Sequence, residues 1–311
     1  MQEKIDLFSK LLRKLESEIG TRDVADLILR ALIKSIEDFS IENADEFCNQ
    51  FCRLKEILSQ TEPKFGILNY YFASLTLEFQ KTFASGKFND SRWKHVALKK
   101  VKQILKESKH HKTDILRYAE KLNVEGKTIL IHDHSHTVQD VLLHLKKMGQ
   151  NFKVVIAEQD FEKTHGNIEA MHNAKIPFQV VPSYMLSHIH EQIDMLFFGA
   201  LTLKDTMDFV MDPGTHGTIS EFHIAGVPIY MFIDTTKFSL WKSKKRGEIF
   251  MRKHSQKHHS RPIEYERIKY SHDRVPVKLF KKIITNEGIF DQEGIEKLFR
   301  KQYENYQKVC C

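Results

Sequence analysis

TILIHDHSHTVQDVLLHLKKMGQNFKVVIAE, residues 128–158, carries two apolar, β-branched runs on either side of a polar turn and a helical stretch. TILIH (128–132) and KVVIAE (153–158) are apolar almost throughout, as expected of strands covered by helices on both faces. HTVQDVLLHLKKMG (136–149) supplies the connecting helix. Strand, helix and strand at this spacing make a βαβ unit and predict a parallel sheet. The alternation continues. PFQVV (177–181), DMLFFG (194–199) and PIYMFI (228–233) read as further strands. Helices are predicted around IEAMHNA (168–174), YMLSHIHEQ (184–192) and GTISEFHIAG (217–226). VPVKLFKKII (275–284) and DQEGIEKLFRKQYENYQ (291–307) are predicted as a closing helical pair.

Upstream the pattern is helical throughout. Ile5, Phe8, Leu12, Leu15 and Ile19 form an apolar stripe at three- and four-residue steps. Gly20 is placed to end that helix and Thr21 to cap the next, whose stripe is Val24, Leu27, Ile28, Ala31 and Leu32. Pro63 precedes a third run, FGILNYYFASLTLEFQKTF (65–83). Lys-rich helical text follows to residue 108, and KTDILRYAEKLN (112–123) fits a further short helix. The expected class is therefore α/β: an all-helical domain over 1–124, then a Rossmann-like parallel-sheet domain over 125–311. No internal repeat is visible.

Composition supports a two-domain globular chain. The chain has 311 residues, 41% hydrophobic and 29% charged, which excludes a disordered protein, a collagen-like repeat and a disulfide mini-scaffold. No apolar run approaches the roughly 18 to 20 residues of a membrane-spanning helix, and MQEKIDLFSK at the N-terminus has no apolar signal core. Cys48, Cys52, Cys310 and Cys311 show neither zinc-ligand spacing nor a disulfide framework. The cytoplasm is the expected compartment. The terminal Cys310-Cys311 pair is like the double-cysteine end of prenylated Rab-type proteins, but the chain lacks a Rab-like body, so two terminal thiols are the reading.

Lys and Arg exceed Asp and Glu by 48 to 41, a net +7. Nine of those cations and a single Glu fall in KFSLWKSKKRGEIFMRKHSQKHHSR, residues 237–261. The rest of the chain is nearly neutral. This stretch reads as a solvated basic insertion at about 237–265. It is also the place where a nucleic acid or another phosphate polymer would bind.

In an open parallel sheet, ligands bind beyond the carboxyl ends of the strands. Those ends carry His132, Asp133, His134, Ser135 and His136 after the first strand, Glu158 after the second, and Gly199 and Ala200 after the fourth. Gly214 and Thr215 begin a Gly-Thr-x-Gly turn into a helix. That turn fits an anion cradle and fits equally well a tight loop. Three His and one Asp in five residues are the right chemistry for a metal. Their spacing converges only on a continued strand, whereas a turn is expected here. The string is therefore read as a polar lining, with Ser135 or His136 capping the helix. Neither a metal nor a cofactor is expected.

Residues 128–158 resemble the core of the eukaryotic initiation factor 2B alpha/beta/delta family. That family includes methylthioribose-1-phosphate isomerase and ribose-1,5-bisphosphate isomerase. IDMLFFGALTL (193–203) is similar to its Val-Gly-Ala stretch, and MDPGTHGTISEFHIAGVPIYMFIDTTKF (211–238) to its Asn-Lys-Ile-Gly-Thr stretch and following strand. IKYSHDRVPVKLFKKIITNEGIF (268–290) resembles its C-terminal Tyr-Thr-Pro segment. The resemblance runs in register over about 125–305.

The departures bear on activity. Where the isomerase members carry Cys, this chain has Asp133; where they carry Asp after Gly-Ala, it has Leu201. Their sugar-phosphate Arg falls at Asp160 or Gln159, and their Asn-Lys at Met211-Asp212. Aldose–ketose isomerisation needs a proton donor and acceptor on the substrate, and Leu201 is neither. Carboxylates in place of cations repel a phosphate. The resemblance thus implies a non-catalytic regulatory protein that dimerises through its α/β domain, as homodimer or with related subunits. It also implies a guanine-nucleotide-binding translation factor as partner and a sugar phosphate or nucleotide as ligand. The competing expectation is a sugar-phosphate isomerase with a rebuilt site, in which Asp133 is the candidate catalytic residue.

Overall fold

A computed structural model describes residues 2–38, 44–60, 66–84, 92–132, 134–159, 161–240, 249–258, 261–270 and 272–310. Four helices come first: α1 (Gln2–Asp38), α2 (Ala44–Gln60), α3 (Gly66–Ala84) and α4 (Arg92–Ala119). α1 is two helices joined at Gly20, which leaves helical backbone at φ 82° and ψ 157°. The expected separate helix over 112–123 is instead the end of α4, because no Gly or Pro interrupts Arg92–Ala119. The apolar stripes close on one core containing Leu29, Ile36, Phe51, Phe72, Leu75 and Trp93. Ring pairs knit it, Phe47 on Trp93 at 4.8 Å and Phe51 on Phe79 at 4.9 Å between centroids.

The sheet region begins with β1 (Thr128–Ile131), α5 (His136–Lys147), β2 (Lys153–Glu158), α6 (Phe161–Asn173) and β3 (Phe178–Pro182). The run predicted as a helix over 184–192 is a 3-10 helix, Ser183–Gln192. β4 (Met195–Gly199), β5 (Thr202–Leu203), β6 (Asp208–Met211), α7 (Thr215–Ile224) and β7 (Ile229–Phe232) follow. β8 (Ile249–His258) and β9 (Arg261–Tyr270) pair with each other; β10 (Asp273–Pro276), β11 (Lys282–Thr285), β12 (Gly288–Phe290) and α8 (Gln292–Cys310) complete the chain.

The main sheet has the order β12-β11-β7-β4-β1-β2-β3, parallel except for β12. Three short strands, β10-β6-β5, make a second, antiparallel sheet. Each central strand of the main sheet is buried on both faces, and its pleat divides its residues between two cores. Ile129 and Ile131, Val154 and Ile156, Met195 and Phe197 pack with α5 and α6. Leu130, Val155, Leu196 and Phe198 pack with α7 and α8. Ile115 and Ala119 of α4 join the first of these cores, so α4 serves the helical region and the sheet together.

Two expectations fail here. The text over 275–284 forms no α-helix: Val275 and Pro276 end strand β10, Val277–Leu279 make one short 3-10 turn, and Ile283 and Ile284 lie in β11, paired to β7. β-branched residues flanking a Pro suit a strand better than a helix. The basic segment is also bounded differently. Lys237, Phe238, Ser239 and Leu240 are buried, Phe238 bridges to Leu203, and the paired strands beyond run to Tyr270. Among the described residues, no helix is long and apolar enough to cross a membrane.

Candidate functional site

The chain builds β1, β2 and β3 outward in one direction, then returns to lay β4 against the other side of β1. The strand order reverses between β1 and β4, which opens a crevice beyond their carboxyl ends. Ser135 caps α5, accepting a hydrogen bond from the Val138 N–H. It sits so close to the end of β4 that a Cβ on Gly199 would lie 2.0 Å from Ser135 Oγ. From the other side comes the break in α1: a Cβ on Gly20 would lie 2.7 Å from His136 Nδ1. These two close approaches bring the helical region onto the strand ends.

Two cavities result, and the sequence-predicted residues divide between them. The first, about 80 Å³, is lined by His134, Ser135, His136, Gly199, Ala200 and Leu201, with Gly20, Arg22, Lys112, Asp140, Asp212 and Lys237 around them. The second, about 660 Å³, is lined by His132, Gln159, Ser183, Tyr184, Gly214, Thr218 and Glu221. His132 is buried and its Nδ1 lies 2.6 Å from Gln159 Nε2 and 3.4 Å from Thr215 Oγ1. His134 and His136 instead face each other, with centroids 4.7 Å apart. The three imidazoles therefore do not converge: His132 lines the second cavity, and His134 and His136 line the first. No cluster of three or more metal-ligating side chains occurs among the described residues. Asp133 and Asp160 lie outside the described residues.

Glu158 ends β2 with its carbonyl accepting from the Ser183 hydroxyl. Gly214, at φ 92°, precedes α7. The N–H groups of Gly214 and His216 both donate to the Asp273 carboxylate at 2.9 Å. The anion at this helix N-terminus is thus supplied by the chain itself.

Electrostatically the first cavity is balanced. Arg22, Lys112 and Lys237 bring three cations; Asp23, Asp140 and Asp212 bring three carboxylates. The sequence alone points to a crevice stripped of cations, and these three correct that expectation. Lys112 Nζ lies 2.6 Å from Asp140 Oδ2. Lys237 Nζ donates to the Ala200 carbonyl at 3.2 Å. Arg22 reaches past the cavity to Asp234 Oδ2 at 2.6 Å. Asp234 is fully buried and also meets His111 Nδ1 at 3.1 Å and the Thr236 N–H at 2.9 Å. Burial pushes its carboxyl upward, but His111, Arg22 and the Thr236 amide outweigh this and hold it well below the usual carboxylate range. Burial lowers the His136 imidazole, so that ring is neutral near pH 7.

A family model described as the initiation factor 2 subunit family matches residues 18–292. The chain is 27% identical to translation initiation factor eIF2B subunit alpha of Dictyostelium discoideum over 141 residues, which are 44% of this chain and 43% of that protein. The match thus spans less than half the length of that relative. Its fold is similar to that in the tetrameric eIF2B-beta2-delta2 complex from C. thermophilum, with a TM-score of 0.73, 15% identity, and coverage of 96% of this chain and 94% of that one. It is also similar to 5-methylthioribose 1-phosphate isomerase from Pyrococcus horikoshii, with a TM-score of 0.65, 17% identity, and coverage of 95% and 87%.

Proposed function

Because the chain belongs to the initiation factor 2 subunit family, we propose that it is a non-catalytic regulatory protein of the initiation factor 2B alpha type. Its residues 1–124 form a helical domain that receives a partner, a guanine-nucleotide-binding translation factor. Its residues 125–311 form an α/β domain through which it assembles, with itself or with related subunits. The crevice between them senses a phosphorylated metabolite. The observation that carries this reading is Leu201, an apolar residue that follows Gly199-Ala200 in the lining of the first cavity. An isomerase needs an acid–base group against its substrate, and Leu201 moves no proton.

A further feature concerns the first cavity, which holds about 80 Å³. Its cations Arg22 and Lys112 are each bonded to a carboxylate of the chain, so an anion must compete for them. Occupancy that shifts these pairs suits a sensor, since a ligand biases a protein only through contacts that differ between its states.

The test is turnover of methylthioribose-1-phosphate and ribose-1,5-bisphosphate by the full chain. None is expected. Turnover that Asp133→Ala abolishes would replace this reading with the isomerase. A second expected outcome is a solution mass near twice 36.6 kDa by light scattering; a strict monomer counts against assembly. In thermal melts, the phosphorylated ligand at about 100 times its Kd should stabilise the fold by about 2.7 kcal/mol. Lys112→Gln should weaken that shift.

A further inference from the structure

On α8 the exposed cations have carboxylates one helical turn away: Lys297 lies 3.8 Å from Glu293 and Arg300 lies 3.9 Å from Glu296. Lys34 of α1 likewise lies 3.0 Å from Asp38. α4 departs from this pattern. From His95 to His110 its sequence, HVALKKVKQILKESKH, holds five Lys and one Glu. Ala97, Val101, Ile104 and Ser108 are buried, and the Ser108 hydroxyl donates to the Asp26 carboxylate of α1 at 3.1 Å. With that face held against the core, the opposite face must point outward. It presents His95, Lys99, Lys102 and Lys106, then Lys109 and His110, all of them exposed. They recur at three- and four-residue steps, so they form one stripe.

The stripe is about 22 Å long, with one Lys per about 5 Å. Its charges are neighbours of one another. Lys99 and Lys102, Lys102 and Lys106, and Lys106 and Lys109 stand three or four residues apart, where like charges repel and destabilise a helix. Two carboxylates lie near it. Glu37 of α1 is 3.5 Å from Lys102. Glu107 lies about 100° round the helix from Lys106 and accepts from Gln103 Nε2 at 2.8 Å. Among the described residues, no carboxylate pairs with Lys99, Lys106 or Lys109. A helix face that merely meets water commonly mixes the two signs, as α8 does; this one keeps a single sign against its own repulsion.

A linear polyanion laid along the stripe removes that repulsion. A duplex offers one phosphate charge per ~1.7 Å of its axis. Residues 95–110 include no Phe, Tyr or Trp on which an unpaired base could stack. The cations of the stripe are Lys throughout, point charges that hold a backbone without reading bases. We propose that this face of α4 binds the phosphodiester backbone of a nucleic-acid duplex, independently of its sequence. An acidic protein surface fits less well, since protein surfaces intersperse the two signs.

The experiment is fluorescence anisotropy of the full chain with a ~20-base-pair RNA duplex and the DNA duplex of the same sequence, in 50 to 200 mM salt. For DNA, four phosphate contacts predict that affinity falls about 150-fold over that range. The tighter arm identifies the polymer. Lys99→Gln with Lys106→Gln should weaken DNA binding about 60-fold near 100 mM salt and flatten the salt slope by about 1.8. Lys297→Gln with Arg300→Gln removes the same charge from α8 and should leave binding nearly unchanged. Both pairs are checked for an unchanged thermal melt. Equal losses from the two pairs would mean attraction by net charge alone, and would overturn the proposal. So would no binding of either duplex at 50 mM salt, or wild-type affinity in the Lys99 and Lys106 double variant, which would move the contact elsewhere on the chain. Tighter binding of poly-L-glutamate than of either duplex would also overturn it, in favour of an acidic protein.

Discussion

Asp234→Ala is expected to lower the unfolding free energy by about 3–5 kcal/mol, the usual consequence of removing one partner from a buried ion pair. The carboxylate is fully buried just after β7, and its partners come from two helices of the other region, Arg22 of α1 and His111 of α4. Removing it strands the Arg22 guanidinium, whose side chain is 15% exposed. It also frees the Thr236 amide and hydroxyl that the carboxylate accepts from. Urea melts of the variant at neutral pH measure the loss directly, and a midpoint equal to wild type would refute the arrangement. The pH dependence has a definite sign. The Asp234 carboxyl is depressed in the fold, so its contribution is present above the ordinary value of 3.8 and is lost as pH falls through the lower folded value. His111 is raised: burial lowers it, but the hydrogen bond to Asp234 and that carboxylate's charge outweigh burial. Its contribution is present below 6.5 and is lost as pH rises through the higher folded value. The stability of wild type relative to His111→Gln should therefore fall as pH rises from about 6 to about 9. A difference that stays flat or grows would count against the His111–Asp234 bond.

This knot was not legible in the sequence, and the reason is physical. Arg22, His111 and Asp234 lie on α1, on α4 and after β7, and no local period links them; only the docking of the helices on the sheet does. Local signals served well where the chain makes its own case. β1, β2, β3, β4 and β7 all fall on the predicted apolar runs, because strands of four to six β-branched and aromatic residues announce themselves. β5, with two residues, and β12, with three, are too short to carry a period, while β6 (DFVM) and β10 (DRVP) match β1 and β7 in length but mix charged residues with apolar ones. β11 was hidden by Lys281 and Lys282, which gave Val277, Leu279 and Phe280 the look of an amphipathic helix; pairing to β7 decided the matter. Charge averaging misfiled Lys237. It opens the basic run in the sequence, yet Phe238 and Leu240 behind it anchor it in the core, and its ammonium faces the crevice. At the site, Ser135, His136, Gly199 and Ala200 were legible because they sit at strand ends. The separation of His132 from His134 was not, since it depends on the path of a turn.

Gly199→Ala is expected to destabilise the protein by about 2–4 kcal/mol and to distort the crevice. The new Cβ would stand 2.0 Å from Ser135 Oγ and 2.7 Å from Ser135 Cβ. The first contact could be relieved by rotating a hydroxyl, but the second involves an atom fixed to the backbone at the head of α5. Overpacking of this kind costs about 1–3 kcal/mol. Forcing Ser135 aside also breaks its bond from the Val138 N–H, a cap worth about 1 kcal/mol. The two losses share one cause, so they can be separated by a second change. Ser135→Gly alone should have a small effect, because Gly substitutes for Ser at this helix position with a loss of only a few tenths of a kcal/mol. In the double variant the clash is gone, and the melt should return close to that of Ser135→Gly. The resulting coupling of about 2–4 kcal/mol, the whole Gly199→Ala penalty, is the mark of residues in direct contact. Additive effects would instead mean that Gly199 is needed for its own backbone. The junction of β4 with α5 would then not be what holds the first cavity's wall in place.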